Sequence, residues 1–379
     1  MWLMRIGLYE LIREKQQAED WVWIVDHTVQ IGNRKCLLVI GCRLSELKDG
    51  SPDHHDFEVL MLEPVEKSNA EIIEQQLQSL VPITSPPRAI VSDGCRELKK
   101  GISQFQASHP RTVSLYDIKH KAALILKKSL EDDARWSAFT TQLNKARQAT
   151  LPTSIAHLAP PVQKTKARYM NMQPILMWCE AMLEYLQMPF SPDPSVQLEV
   201  GPINIHFRWI SEYHEDIAEW SRMIQILETA IEECRQHGYY RDGVNQMAPR
   251  LKALSGGSRS SQVVDDVVHF LTEQCTLARE GEHLLATSEC IESLISKAKL
   301  IEKKQASNGF TSLVLATAAA VVPLTRRFIA SALERVKTKD ILEWTRTNLG
   351  RSVQANRHRT LGKLIAEQKQ RKKCPITQT

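Results

Sequence analysis

The stretch that most constrains the fold of this chain runs from residue 20 to residue 32 and reads DWVWIVDHTVQIG. Its apolar residues, Trp21 to Val25, are typical of a strand buried in a core. Asp26 follows directly, so the pattern carries a carboxylate into the middle of that strand. A buried carboxylate normally meets a partner cation or a metal ion, because leaving it unpaired is costly. Asp26 is therefore a candidate site residue, with a structural ion pair as the alternative.

The residues after this stretch predict a hairpin and a third strand. Gly32 and Asn33 form a turn into a second strand, Cys36 to Cys42, and a third strand runs from about Phe57 to Pro64. Because proline has no backbone N–H to donate to a neighbour, the third strand is expected at the edge of the sheet.

Helices and strands then alternate along the chain. Asn69 is expected to cap a helix that runs to about Leu80, and Pro82, Pro86 and Pro87 are expected to end it. Further on, the pattern predicts strands over 89–92 and 112–116, and helices over 96–105 and from 118 onward. The order β-β-β-α-β-α-β-α is that of an α/β, ribonuclease H-like fold, a mixed five-stranded sheet flanked by helices. In that layout the fourth strand lies parallel beside the first.

This strand order makes two distant carboxylates neighbours. Asp26 lies midway along the first strand, and Asp93 follows the carboxyl end of the fourth. They are expected to share metal ions, because hard divalent cations prefer oxygen ligands. The alternative for Asp93 is a simple turn made with Gly94.

The rest of the chain predicts helices and a basic end. The sequence divides into a helical lead-in over 1–19, the first part of the core over 20–130, an all-helical insertion over 131–285, completion of the core over 286–325, and a basic arm over 326–379. Trp136, Trp178, Trp209 and Trp220 of the insertion are interpreted as core residues rather than as stacking platforms for bases. Residues 313–324 are interpreted as a buried helix segment.

The last core helix is expected to begin after Thr287 or Ser288, either of which is suited to cap it. Glu292 and Lys299 are seven residues apart and point the same way beside its apolar stripe. Glu289, one turn before Glu292, is its natural competitor for a site role.

Composition gives more information about the cellular compartment of this chain than about its function. The net charge is only +5, and the eight cysteines include no Cys-x-x-Cys pair, which suits reduced thiols in a cytoplasm. The first residues do not resemble a signal peptide, and the longest apolar run is too short to span a bilayer. No membrane partner is therefore expected.

Four sequence motifs, WVWIVDHTVQIG, AIVSDGCRELKKGI, SLYDIKHKAALILKKSL and SECIESLISKAKL, occur in this order. Together with GFTSLVLATAA, they resemble the catalytic region of the DDE-type transposases of bacterial insertion sequences, from residue 20 to about residue 325. The resemblance implies that Asp26, Asp93 and Glu292 are the catalytic, metal-binding carboxylates. It also implies two Mg²⁺ ions, for which Mn²⁺ should substitute, and it places Lys299 near the DNA backbone.

The chain departs from that pattern in two respects. Leu285 and Ser288 stand where related families carry a Tyr and an Arg, which puts DNA contacts from those positions in doubt. The sequence begins only 19 residues before the first catalytic stretch, so most of the amino-terminal DNA-binding region of such enzymes is expected to be missing.

The resemblance implies metal-dependent cleavage of phosphodiester bonds at transposon ends, followed by strand transfer to target DNA. The partners would be double-stranded DNA and further copies of the chain assembled on it, in a bacterial cytoplasm and associated with the nucleoid. Two alternatives stay open: an inactive or truncated remnant that only binds DNA, and a ribonuclease H-like nuclease that acts on RNA or hybrids.

Several residues are candidates for supporting roles. His27, Asp117 and His120 are candidate accessory residues near the site, with a helix cap and its polar partner as the alternative for Asp117 and His120. Residues 53–56, Asp-His-His-Asp, resemble a metal cluster but are interpreted as a solvated loop.

Residues 346–373 carry nine Lys or Arg against one acid, which favours phosphate contact. The candidate DNA-binding residues are Lys297, Lys299, Arg357, Arg359, Arg371, Lys372 and Lys373.

Overall fold

The three strands predicted at the start of the chain form one side of a mixed β-sheet. The structure is a computed structural model, and it describes residues 1–31, 34–47, 52–65, 67–163, 169, 171–187, 200–303, 312–349 and 353–373. The predicted turn at Gly32 and Asn33 lies outside these residues. The chain divides into two compact units, the first formed by Met1–Leu115 with Ser288–Thr379 and the second by Tyr116–Thr287.

The described residues include five strands and fifteen α-helices, besides short 3₁₀ turns. The strands are β1 Trp21–Ile31, β2 Arg34–Arg43, β3 Glu58–Val65, β4 Ala89–Ser92 and β5 Val113–Tyr116. The helices are α1 Trp2–Ile12, α2 Ala70–Thr84, α3 Arg96–Ser108, α4 Ile118–Leu130, α5 Ala134–Thr150, α6 Gln173–Gln187, α7 Val200–Phe207, α8 His214–His237, α9 Gly243–Leu254, α10 Ser258–Cys275, α11 Glu289–Lys303, α12 Leu315–Ala318, α13 Arg326–Arg335, α14 Thr338–Asn348 and α15 Val353–Lys373.

The strand order is β3-β2-β1-β4-β5. β1 pairs antiparallel with β2 and parallel with β4, and β2 pairs antiparallel with β3. β3, which contains Pro64, lies at the edge of the sheet, as the proline predicts. The predicted fold class is therefore confirmed: an α/β protein with a mixed, ribonuclease H-like sheet of five strands, flanked by helices.

The two faces of β1 are covered by different helices. Trp21, Trp23 and Val25 belong to a hydrophobic cluster that includes residues of α2 and α3, among them Ile73 and Phe105. The alternate side chains face the other way, where α11 packs against β1. This burial on both faces accounts for the unbroken apolar run that begins the strand.

Two local predictions are confirmed only in part. α2 continues past Pro82 to Thr84, since a proline near the end of a helix removes only one of its hydrogen bonds, and it ends before Pro86 and Pro87. Residues 313–324 are largely buried, as predicted, but only Leu315–Ala318 forms an α-helix within them. The lead-in α1 packs against that short helix, and a Cβ on Gly7 would lie 1.8 Å from the Leu315 carbonyl oxygen. This close approach requires glycine at position 7.

A buried ion-pair network joins α1 to the edge strand. The Lys15 Nζ lies 2.7 Å from Glu10 Oε1 and 3.0 Å from Glu58 Oε2, and Arg13 bonds to both carboxylates. The side chains of Lys15 and Glu10 are only 1% and 2% exposed. Such a pair stabilises only when its geometry is good, and the backbone N–H of Val59 donates a further bond to Glu10.

The second unit is helical in its described residues, from α4 to α10, apart from an isolated bridge between Tyr239 and Leu284. Because this unit begins at Tyr116, it includes α4, which the sequence-based division places in the first part of the core. Trp136 and Trp220 are fully buried and meet edge to face, with their ring centroids 4.8 Å apart. Trp178 and Trp209 are half-buried, and each packs against a Phe ring. All four tryptophans therefore pack in the unit.

Candidate active site

The register of the two central strands brings Asp26 and Asp93 to the same edge of the sheet. β1 and β4 run parallel, with Trp23 opposite Ile90, Ile24 opposite Val91, and Val25 opposite Ser92. Asp26 and Asp93 are the next residue on each strand. Trp23 and Ile90 share the cluster that faces α2 and α3. Because side chains alternate along a strand, Asp26 projects to the other face, together with Ile24.

Both aspartates accept a hydrogen bond from a nearby backbone N–H. Asp26 Oδ1 accepts from the N–H of His27 at 2.7 Å, and Asp93 Oδ1 accepts from the N–H of Cys95 at 2.9 Å. The chain turns sharply after β4, where Gly94 has a φ of 69°. Asp93 thus accepts a hydrogen bond within the turn, as the alternative interpretation expects, and its side chain is partly exposed at the edge of the sheet.

Glu292 lies on the helix that covers the Asp26 face of β1. α11 begins at Glu289, and the N–H of Glu292 donates to the Ser288 carbonyl oxygen at 3.1 Å. Ile291 and Leu294 are fully buried, whereas Glu292 and its competitor Glu289 are partly exposed. The buried stripe of α11 therefore packs on the sheet, and both glutamates lie on its flank.

The carboxylates are not gathered into a ready-made metal cluster. Among the described residues, no group of three His, Cys, Asp or Glu side chains is placed to hold a metal ion. The donor set itself suits a hard divalent cation, because carboxylate oxygens are the ligands that Mg²⁺ prefers. Asp26 and Asp93 follow paired positions of adjacent strands, whereas Glu292 is contributed by a helix that packs on β1.

Two cysteines stand close to the candidate carboxylates in the sequence. Cys290 on α11 follows Glu289, and burial raises the pKa of its thiol to about 12. Burial likewise raises the pKa of Cys95, two residues after Asp93, to about 11. With no metal bound, both side chains are therefore neutral, weakly reactive thiols near pH 7.

His27 lies on the opposite face of β1 from Asp26, since the two are consecutive strand residues. Its Nε2 lies 2.7 Å from the Ser68 hydroxyl. Burial, followed by the charge of Lys35, lowers the pKa of this imidazole, while the charges of Asp93 and Glu97 raise it. His27 is thus a neutral side chain near pH 7 that lies within electrostatic range of Asp93.

Glu97 is a carboxylate at this edge that sequence reasoning missed. It stands in the first turn of α3, four residues after Asp93, and it is exposed. An acid in the first turn of a helix is common, because it suits the helix dipole, so its position alone did not mark it as a site residue.

Asp117 and His120 belong to the second unit, at the start of α4. Asp117 is fully buried, and its Oδ1 accepts the N–H of His120 at 2.8 Å, which is a helix cap. The His120 Nδ1 lies 3.3 Å from the same oxygen. These contacts support the alternative interpretation, a cap with a polar partner, and an accessory role stays a prediction.

The loop at 53–56 is held by contacts of its own. Asp56 Oδ2 accepts the N–H of Asp53 at 2.7 Å, and His55 Nδ1 lies 3.2 Å from the Val321 carbonyl oxygen. The side chain of His54 lies outside the described residues. These contacts agree with the interpretation as a loop.

The basic candidates lie on two helices. Lys297 and Lys299 are exposed on α11, beyond Glu292, and Arg357 and Arg359 are exposed on α15. The side chains of Arg371, Lys372 and Lys373 lie outside the described residues, although α15 extends to Lys373. The exposed cations of α11 thus follow the candidate glutamate on the same helix. No described helix is both long and apolar enough to cross a membrane.

No protein-family model matches this sequence, and no curated protein matches it. Among solved structures, one that is similar to this chain is that of a Drosophila P element transposase strand transfer complex. The superposition has a TM-score of 0.42 at 10% identity, and it covers 86% of this chain and 81% of that chain. At this TM-score the superposition carries no argument, and the fold assignment depends on the strand order and register of the sheet.

Proposed function

We propose that this chain is the catalytic region of a DDE-type transposase, which cuts phosphodiester bonds at transposon ends and joins them to target DNA. The observation that carries the proposal is the β1–β4 register, in which Asp26 and Asp93 follow the last paired residues of adjacent parallel strands. α11, the helix of Glu292, packs on that strand. The sequence motifs that resemble this family fall on the same three elements.

In this proposal Asp26, Asp93 and Glu292 would hold Mg²⁺, and the bound ion would supply activation of the attacking oxygen and charge stabilisation of the leaving oxygen. Glu292 lies on the flank of α11 rather than in its buried stripe, so a change of rotamer moves its carboxylate without unpacking the helix. The exposed Lys297 and Lys299 continue along the same helix and offer cations to the phosphates of a bound strand.

A second candidate is a remnant that binds DNA without cutting it. It is favoured by one observation, that the described residues include no group of three potential ligands placed to hold a metal ion. The two candidates differ in whether the carboxylates bind a divalent cation at all.

Metal binding and cleavage test the proposal separately. Titration of the full chain with Mn²⁺, followed by electron paramagnetic resonance, should show binding that Asp26→Asn and Asp93→Asn each weaken at least tenfold. Nicking of supercoiled plasmid in Mg²⁺ should fall at least a hundredfold in the same variants. Glu289→Gln is the matched control, since Glu289 stands one turn from Glu292 and should keep both properties.

Three outcomes separate the candidates. The absence of both Mn²⁺ binding and nicking, while DNA affinity is retained, supports the remnant. Equal Mn²⁺ binding in the wild type and both aspartate variants overturns the metal site. Hydrolysis of RNA–DNA hybrids without joining of a 3′-hydroxyl to plasmid points to the nuclease alternative.

A further inference from the structure

A groove on the second unit combines an acidic lining with an apolar floor. A cavity of about 560 Å³ lies between facing stripes of α6 and α8. Leu176 and Ile224 are buried at its floor, and four glutamates line it against one arginine, Arg250 of α9. All of these residues belong to the second unit. The glutamates are Glu180, Glu228, Glu232 and Glu233.

Two of the four carboxylates are balanced by cations. The Arg250 guanidinium lies 2.5 Å from Glu233, and Arg235 bonds to the adjacent Glu232. These pairs account for only half of the acidic charge, so the groove keeps a negative potential that a cationic ligand would relieve.

The other two carboxylates, Glu180 and Glu228, have no salt bridge to any described residue. Glu228 accepts a hydrogen bond from the neutral amide of Gln173 at 2.6 Å, and burial raises the pKa of its carboxyl. A pKa raised by burial means that the ionised carboxylate is poorly solvated where it lies. A cation beside Glu228 would stabilise its charged form.

A hydroxyl group in the groove is also unsatisfied. The Ser221 oxygen is buried, and within the described part of the chain it has no hydrogen-bond partner, although Ser221 lines the groove. A buried hydroxyl without a partner is unfavourable. One change of rotamer would allow this oxygen to accept a hydrogen bond from a ligand. The observation is independent of the carboxylates and also indicates a ligand.

The lining residues are arranged along a line rather than around a point. On α8 they extend from Ser221 to Gln236, fifteen residues apart, which is about 22 Å at the rise of an α-helix. Glu228 and Glu232 are one helical turn apart, and Met177 beside them is 60% exposed. The described residues include no group of three potential ligands placed to hold a metal ion. The groove therefore suits an elongated cation with several charges and an apolar backbone.

We propose that the groove between α6 and α8 binds a linear polyamine such as spermidine. Its ammonium groups donate hydrogen bonds to Glu180, Glu228 and Ser221. Its methylene segments lie against Leu176 and Ile224, and they separate the charges by about one helical turn. The inference does not rest on the proposed catalytic activity, because none of the proposed metal-binding carboxylates lines the groove.

Isothermal titration of the full chain with spermidine, in protein freed of nucleic acid, tests the inference. The wild type should bind one molecule, with a Kd that rises as salt is added. Glu180→Gln with Glu228→Gln should raise the Kd at least tenfold, and Ser221→Ala should raise it about threefold, as expected for one hydrogen bond. Glu273→Gln, at an exposed acid of α10 outside the groove, is the matched control and should leave the Kd unchanged.

The length of the ligand and the rim of the groove provide a second test. With the wild type, the Kd should rise from spermidine to putrescine and again to butylamine, because each shorter amine reaches fewer acceptors. Met177→Arg, which adds a cation to the exposed rim, should raise the Kd for spermidine at least tenfold, whereas Met177→Gln should change it little. Circular dichroism establishes that each variant is folded.

Three results would overturn the inference. One is a wild type that binds no spermidine at low salt. Another is a Kd that neither Glu180→Gln with Glu228→Gln nor Met177→Arg changes. The third is equal affinity for spermidine and butylamine, which would show that the groove attracts cations without recognising a linear polyamine.

Discussion

Two groups of carboxylates in the first unit differ in their surroundings. Glu10 is 2% exposed and lies within bonding distance of Lys15 and Arg13, so cations surround it. Asp26 and Asp93 are partly exposed, and each accepts from the backbone N–H of a residue one or two positions later in the chain. The first arrangement fixes a helix to a strand. The second keeps the side chains partly exposed to solvent, as an ion-binding edge requires.

Removing a cation from the Glu10 network should have the largest effect on stability. Lys15→Met leaves Glu10 buried with Arg13 alone, and breaking a buried pair costs about 3–5 kcal/mol. We expect a loss near the lower end of that range, measured by urea unfolding. Lys99→Met, at an exposed lysine of α3, is the control. Replacing both partners, by Glu10→Met with Lys15→Met, should recover part of the loss. A loss below about 1 kcal/mol for Lys15→Met would mean that the network adds little.

Gly7→Ala tests the packing that surrounds this network. The added Cβ would lie 1.8 Å from the Leu315 carbonyl oxygen, so α1 must shift away from α12. Overpacking of this kind costs about 1–3 kcal/mol, even though alanine is the better helix former. The unfolding midpoint measures it, with Gly362→Ala on the exposed α15 as the control. A stabilised Gly7→Ala variant would contradict the close approach of the two helices.

Glu219 is intermediate between these two groups of carboxylates. It lies on α8 and accepts a hydrogen bond at the start of another helix. Its Oε1 accepts the N–H of Ser260 at 2.8 Å, at the start of α10. Burial acts to raise the pKa of Glu219, but hydrogen bonds from Ser260 and Arg222 outweigh it, and the net shift is downward. A depressed pKa stabilises the fold above the unfolded value, and this contribution is lost as the pH falls through the folded value.

Glu219→Gln should therefore cost about 1 kcal/mol at pH 7, a typical cap contribution. The difference from wild type should narrow between about pH 5 and pH 3, because Asp and Glu side chains titrate in that region. Unfolding curves recorded across this range provide the test. A difference that does not change with pH would show that the charge of Glu219 does not matter.

Asp93→Asn should have the smallest effect on the stability of the free protein. The amide oxygen of asparagine still accepts the N–H of Cys95, so the change should lie within about 0.5 kcal/mol, as for ordinary surface substitutions. If the proposed site binds Mg²⁺, the ion should raise the melting temperature of the wild type, because a ligand stabilises the state that binds it, and Asp93→Asn should lose this rise. If Asp93→Asn lowers the free energy of unfolding as much as Lys15→Met does, the two groups of carboxylates do not differ as described.

The strands of the sheet could be predicted from the sequence because the residues that mark each strand lie within it or next to it. The apolar run in β1, Pro64 at the edge and Asn69 as a cap each act within a few residues, and the strand order follows from them. The pairing of Asp26 with Asp93 follows from that order, because parallel strands end at the same edge. Glu292 was predicted as the third site residue only because its motif resembles that of the transposase family.

The features that the sequence did not predict depend on residues far apart in the chain. Gly7 faces Leu315, Glu10 is held by Lys15 and Glu58, and α10 is capped by Glu219. Nothing near Gly7 or Ser260 reveals these partners. The role of Asp117 stays open for a local reason, because a helix cap and an accessory metal ligand both use an aspartate at this position.

The division of the first unit between the two ends of the chain affects its synthesis on the ribosome. Residues Met1–Leu115 are made first, and their unit is completed only from Ser288 onward. At about 5–20 residues per second, the intervening segment delays α11 by roughly 10–30 seconds. During that interval the sheet lacks the helix that covers one face of β1, and Asp26 and Asp93 are present without Glu292. A nascent chain therefore contains all three carboxylates of the proposed site only after most of the protein has been translated.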